Sequence, residues 1–221
     1  EYVFGRFSTE EEVFQDWDGT ALTLYHTDRP ATWDQTSHEL RWVHSGDRLD
    51  YTVGLYLWES DYRIDLRSYI GFGDLLFGLP MGTVLTVDQT VVQNTDSKAA
   101  FFEADYRLTD ALTLTVGGRY TEDEKDSGLI DAGMPQLATL GSLANPFAKS
   151  WSEFTPKLNL RYRVNEDAMV YGLYSKGYRA GGFNGRPGTY EAASIAYDPE
   201  TVDNFELGWK TEWMNGRVRL N

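Results

Sequence analysis

The chain has 221 residues, with 20 Lys and Arg against 34 Asp and Glu, a formal net charge of −14, no cysteine, and 7 Trp, 14 Tyr and 11 Phe. Without cysteine there is no disulfide framework and no thiolate metal site, and so acidic a balance without a strong basic patch argues against a duplex nucleic-acid binder. The length suits one or two ordinary domains, or one piece of a larger β architecture.

Taken in order, the opening Glu1-Tyr2-Val3-Phe4 has no basic region followed by an apolar one, so no secretory leader is expected in this stretch. Asp16-Trp17-Asp18-Gly19 begins like a calcium loop, but the twelfth position from Asp16 is Thr27 rather than Glu, and a loop-to-strand turn is expected instead. His38 and His44 share a strand face but lie about 20 Å apart at the usual rise, too far to hold one ion, and His26 has no sequence-evident partner. No metal set is therefore expected. From Leu49 the chain alternates strictly: Leu49, Tyr51, Val53, Leu55 and Leu57 oppose Asp50, Thr52, Gly54, Tyr56 and Trp58. The most apolar stretch, Leu75 to Val87, is broken by Gly, Pro and Thr and is shorter than the roughly 20 apolar residues of a membrane helix. Gly71-Phe72-Gly73 lacks the third glycine of a phosphate loop.

Alternation returns in Phe102, Ala104, Tyr106 and Leu108 against Glu103, Asp105 and Arg107. It recurs in Leu112, Leu114, Val116 and Tyr120, in Leu158, Leu160, Tyr162 and Val164, and in Phe205, Leu207, Trp209 and Trp213, each set opposed by polar residues. A helical stripe cannot produce this period of two. The acidic run Glu122-Asp123-Glu124 with Asp126 reads as a solvated face. Gly177, Gly181 and Gly182, interleaved with Tyr178 and Phe183, read as places of bending and close backbone approach.

Tight polar breaks at 45–47, 109–111, 165–167 and the Asn215-Gly216 dipeptide each join two amphipathic strands. Long segments, roughly 9–33, 63–90, 126–150 and 185–199, lie between those hairpins and are expected as loops. Compact soluble domains seldom carry several such loops. Short turns at one end, long loops at the other and strands of about 12 to 15 residues instead describe an antiparallel transmembrane β-barrel wall, with Trp42, Trp209 and Trp213 placed for an interfacial girdle.

These residues resemble a known family. Trp151 to Asn184, with its Phe-Thr-Pro-Lys strand followed by Ser-Lys-Gly-Tyr-Arg and Gly-Gly-Phe-Asn, is similar to the barrel of TonB-dependent outer-membrane receptors. Ser37-His38-Glu39-Leu40-Arg41, Ala99 to Tyr120 with the following Thr121-Glu122-Asp123, and Tyr197-Asp198-Pro199-Glu200 leading into 204–210 are similar to the same family in the same order, over about residues 16–221. The resemblance implies a 22-stranded barrel enclosing an N-terminal plug. It also implies uptake of a scarce nutrient, such as a ferric siderophore, vitamin B12 or an oligosaccharide, energised by TonB across the outer membrane of a Gram-negative bacterium. No TonB box, plug or aromatic-ended terminal strand is found, so residues 1–221 are expected to form about nine strands from the middle of the barrel, with partial first and last strands. The expected partners are TonB through the plug, outer-membrane lipid and a small nutrient ligand, with no nucleic acid and no cofactor.

Two sets of candidate site residues follow. Tyr69, Phe72, Phe77, Phe147, Trp151 and Tyr190 fall on the expected long loops, where rings can stack on sugars or flat chelates. Glu103, Asp105, Arg107, Arg119, Lys157, Asn159, Arg161 and Arg163 occupy the polar faces, where they are expected to meet the plug or guide an anionic ligand. Glu103 and Asp105 have a spacing usable by a retaining glycosidase, but Arg107 follows on the same face to neutralise them, and no catalytic residue is expected. The rival readings are a secreted acidic β-sandwich that binds carbohydrate and a passive porin. The sandwich requires the apolar faces to meet across a core; the barrel requires them to form one outward band.

Overall fold

The computed structural model describes residues 1–22, 24–72, 74–75, 78–133, 146–185, 192, 194–214 and 217–220. They form nine antiparallel strands: β1 (Tyr2–Asp16), β2 (Tyr25–Ser45), β3 (Leu49–Ile70), β4 (Leu85–Arg107), β5 (Leu112–Gly133), β6 (Pro146–Asn165), β7 (Ala168–Arg179), β8 (Glu200–Trp213) and β9 (Val218–Leu220). Each pairs with its sequence neighbours in one sheet ordered β1 to β9, the topology that tight hairpins produce.

The register decides between sandwich and barrel. Opposed residues of an antiparallel pair point to the same face, and Tyr51 lies opposite Ala104, Ala104 opposite Val116, Val116 opposite Leu158, Leu158 opposite Tyr174 and Tyr174 opposite Phe205. The apolar faces therefore line one continuous outward row and do not meet across a core. On β6 the row runs Phe154, Pro156, Leu158, Leu160, Tyr162, Val164. That is about 34 Å along the strand, or about 25 Å of membrane depth at the usual barrel tilt. Burial is inverted relative to a water-soluble protein. The buried set includes Ser60, Thr95, Ser97, Thr115 and Ser127, whereas Leu207 is 90% exposed and Trp42, Trp209 and Trp213 are also exposed on the outward face.

The strands run beyond the apolar band. On the loop side of it the outward residues become Glu59, Asp61, Asp96, Glu122, Glu124 and Asp126, all exposed. Hydrogen-bonded pairing continues there, so the segments expected as loops are largely strand: 63–70 belongs to β3, 85–90 to β4, 126–133 to β5 and 146–150 to β6. The apolar-outward alternation breaks off beyond the band, where the outward residues are charged, and it was that alternation that marked the strands in the sequence. The observed strands accordingly reach 21 to 23 residues in β2 to β5, against the 12 to 15 expected. The tight connections at 46–48, 108–111 and 166–167 match expectation; the Asn215-Gly216 turn lies outside the described residues, although Trp213 pairs with Val218 across it.

Candidate functional site

All eight polar-face candidates lie on the inner face of the sheet, the face they share with buried Thr115. In its turn-side half they form cross-strand ion pairs. Lys157 Nζ reaches Glu103 Oε2 at 2.6 Å across Gly117, the residue opposite both, whose missing side chain leaves the path clear. Arg161 donates to Asp105 Oδ2 at 3.0 Å, and Thr115 donates to the same carboxylate. The expected neutralisation by Arg107 does not occur. Arg107 pairs with Asp50 and donates to the carbonyls of Gly46 and Asp47, both at 2.8 Å, so it braces the β2–β3 turn. These partners sit on β4 and β6, about 9–10 Å apart across β5, and the long Lys and Arg side chains span that gap over Gly117 and Thr115. Arg163 has no acidic partner among the described residues, and the Oδ1 of Asn159 is buried without a hydrogen bond.

The loop-side half of the inner face is aromatic and cationic. The Arg119 guanidinium lies 5.1 Å from the Tyr56 ring and 5.9 Å from the Phe101 ring, and donates to Thr121 at 3.0 Å. Lys125 and Lys149 stand directly opposite each other, 6.0 and 5.4 Å from the Trp151 ring. Like charges in that relation destabilise a sheet. Lys149 meets the Asp198 carboxylate at 3.6 Å. Trp151 is 8% exposed, meets Phe183 edge-on at 6.3 Å, and keeps its indole Nε1 buried with no hydrogen-bond partner. Phe147 packs on Phe183 as well, at 5.8 Å. The pairing of β6 with β7 stops at Lys157 opposite Ser175, and beyond it Lys176 turns to Glu153 at 2.6 Å. A hollow of about 450 Å³ remains, lined by Trp58, Arg119, Asp123, Lys125, Lys176 and Tyr178 among others. The hydroxyl of Tyr178 is buried without a partner. Gly181 closes the upper side, where a Cβ would lie 2.6 Å from the Trp151 ring and would also meet the Tyr197 carbonyl.

The loop-aromatic expectations divide. Phe147 and Trp151 are inner-wall residues of β6, because pairing extends that strand outward from the membrane. Tyr69 belongs to β3, opposite Thr86, and Phe72 stands 38% exposed in the turn that follows. Neither belongs to the aromatic–cationic cluster. Phe77 and Tyr190 lie outside the described residues. Lys125, Lys149, Lys176 and Phe183 were not singled out from the sequence. The readable signal was aromatic residues on an otherwise polar face, as at Tyr56 and Trp58.

A separate group sits where β1 passes into β2. Asp16 Oδ1 accepts from the backbone N–H of Asp18 and Gly19, both at 3.1 Å. Asp18 accepts from the Thr20 hydroxyl at 2.6 Å and from the backbone of Thr20, Leu24 and Tyr25 at 2.9, 3.1 and 2.8 Å. The Thr20 hydroxyl and these N–H groups hold the Asp18 carboxyl down at about 2. A depressed carboxyl stabilises the fold above its ordinary value and loses that contribution as pH falls through the folded value. Protection of the Leu24 and Tyr25 amides, measured relative to intrinsic exchange at each pH, is therefore expected to hold above about pH 4 and to be lost as pH falls from 4 towards 2. Unchanged protection across that window would show that Asp18 does not hold the loop. Folding gives His26 the neighbours that the sequence left open: its Nε2 lies 3.4 Å from both Asp16 Oδ1 and Asp18 Oδ2.

An outward apolar band, an inner polar wall, tight turns at one end and longer connections at the other define a wall segment of an outer-membrane β-barrel. The family model for the TonB-dependent receptor-like β-barrel matches residues 2–221, and the chain belongs to that family of the Gram-negative outer membrane. The pesticin receptors of Yersinia pestis and Yersinia enterocolitica are each 26% identical over 189 residues, covering 83% of this chain and 25% of the receptor. The chain thus spans about a quarter of the length of the curated relatives it matches. Among solved structures, the ferric yersiniabactin uptake receptor of Yersinia pestis superposes with a TM-score of 0.71 at 19% identity, over 96% of this chain and 31% of that one. The ferric citrate transporter in its unliganded form gives 0.57 at 13% identity over 95% of this chain and 29% of that one. The siderophore receptor PiuA of Acinetobacter baumannii gives 0.56 at 16% identity over 88% of this chain and 31% of that one. These likenesses establish the fold, and the family and its neighbours are receptors and transporters.

Proposed function

We propose that the protein containing this chain is an active outer-membrane receptor that takes up an anionic, ring-bearing ferric chelate of the siderophore class, driven by TonB through a plug outside residues 1–221. The observation that carries this reading is the pair of opposed lysines, Lys125 and Lys149, beside the Trp151 ring on the inner wall. Opposed cations favour an anion between them, and a ring offers a stacking surface for a flat chelate. The likenesses to the ferric yersiniabactin uptake receptor and to a siderophore receptor support the choice of ligand class over vitamin B12 or an oligosaccharide. The ion pairs of Glu103 and Asp105 with Lys157 and Arg161 then stiffen the wall facing the plug.

The test is uptake of radiolabelled ferric chelates by iron-starved cells carrying the intact receptor. Uptake is expected to require TonB, and the double change Lys125→Gln with Lys149→Gln is expected to weaken chelate binding about tenfold or more, since about 1.4 kcal/mol corresponds to a factor of ten. TonB-independent passage would support a porin instead. Unchanged binding by the double variant would remove these lysines from the ligand path.

A further inference from the structure

We propose that Asp16, Asp18 and His26 form a binding site for a zinc-type divalent cation at the base of the β1–β2 connection. One ligand atom from each residue can be chosen so that all three lie within 4.8 Å of one another. His26 Nε2 stands 3.4 Å from an oxygen of each carboxylate. That is about the edge of a tetrahedron around an ion with ligands at 2.0–2.2 Å, the zinc range for imidazole and carboxylate. The second observation is the nitrogen itself. His26 Nε2 is sealed from solvent and makes no hydrogen bond, although it faces two carboxylates. A neutral imidazole with its proton on Nδ1 would aim a lone pair at two anions, and one with its proton on Nε2 would face them at 3.4 Å without making a hydrogen bond to either. A protonated one would meet both at distances longer than the 2.7–3.2 Å of a good hydrogen bond. A dication placed among the three removes both difficulties.

The surroundings fit a prepared site. Neither carboxylate has a Lys or Arg partner among the described residues, so their charge is not already neutralised. Backbone N–H groups of Asp18, Gly19, Leu24 and Tyr25, with the Thr20 hydroxyl, fix both carboxylates, the role that outer-shell partners play at metal centres. Trp17 donates to Thr27 at 3.0 Å and ties the two strand ends together beside the group. The imidazole favours a zinc-type ion over calcium, which takes oxygen ligands. Three protein ligands leave a fourth position for water or an incoming donor. The calcium-loop test of the sequence failed because the third ligand comes from the neighbouring strand, with nitrogen in place of oxygen.

The intact receptor, purified in detergent and stripped with a chelator, is titrated calorimetrically with zinc ion. Wild type is expected to bind one more equivalent than His26→Gln, and Co²⁺ in its place is expected to give the visible bands of a tetrahedral site in wild type alone. Thr20→Val, which removes a support of Asp18, is expected to weaken zinc binding about 10- to 100-fold. His44→Gln is expected to bind as wild type does. Retained heat-modifiable electrophoretic mobility shows that each variant is folded. Equal zinc stoichiometry in wild type and His26→Gln overturns the proposal.

Discussion

Replacing Leu158 by arginine is expected to destabilise the folded barrel in lipid vesicles by about 2–4 kcal/mol, the cost of a cation on the lipid face near mid-membrane. Leu158 lies in the outward row between Val116 and Tyr174, near the middle of the apolar run from Phe154 to Val164. Its side chain is half exposed, and in a membrane that exposure is to hydrocarbon. The same change at Glu122, outward but beyond the apolar band, is expected to cost only about 0–1 kcal/mol, since depth sets the penalty. Denaturant unfolding of the intact receptor in vesicles, read by loss of heat-modifiable mobility, measures both. Equal costs at the two positions would show that the outward band does not face lipid.

Trp151→Ala carries the other large effect. The ring is nearly buried, stacked edge-on with Phe183 and closed over by Gly181, so its removal leaves a cavity that backbone on one side and β6 on the other cannot collapse to fill. Truncating a buried Trp typically costs about 3–5 kcal/mol. Here the expected result is local: the segment 180–184, held to the wall by this contact and by the bridge between Gly182 and Tyr197, should open while the barrel stays intact. Hydrogen exchange is expected to accelerate at Gly182 and Tyr197, whose amides pair with each other's carbonyls, and to stay slow at Leu158 and Val116. Chelate binding should fall with it, because Lys125 and Lys149 lose the ring beside them. Slow exchange at Gly182 in the variant would assign the anchoring of this segment elsewhere.

Leu49 to Leu57, Leu112 to Tyr120 and Leu158 to Val164 were legible as strands, and so was their outward apolar face, because lipid on one side and a polar interior on the other impose a period of two. The loop-side half of each strand was not. At Arg63 to Leu66 the charges take the outer face and Ile64 and Leu66 the inner one, and at Asp126, Ser127 and Lys149 polar residues stand on either face, so the apolar-outward period breaks off and only the partner strand reveals the pairing. Phe147 and Trp151 were chosen as ring-bearing ligand candidates and placed on a loop; the pairing of β6 with β5 moves them to the inner wall.

Charge partners show the same division. Arg107, two and four residues along the strand from Asp105 and Glu103, looked like their counter-ion, yet Lys157 and Arg161, more than fifty positions away, take that place. The sequence by itself determined the class of fold, the family and the face each side chain takes, since period and turn chemistry are local. The tertiary structure alone decided which charges pair, how far the strands extend beyond the membrane, and that His26 meets Asp16 and Asp18. Residues opposite each other on adjacent strands lie about 5 Å apart, and those two strands apart about 10 Å, however distant they are in the chain, and one-dimensional spacing carries no record of that distance.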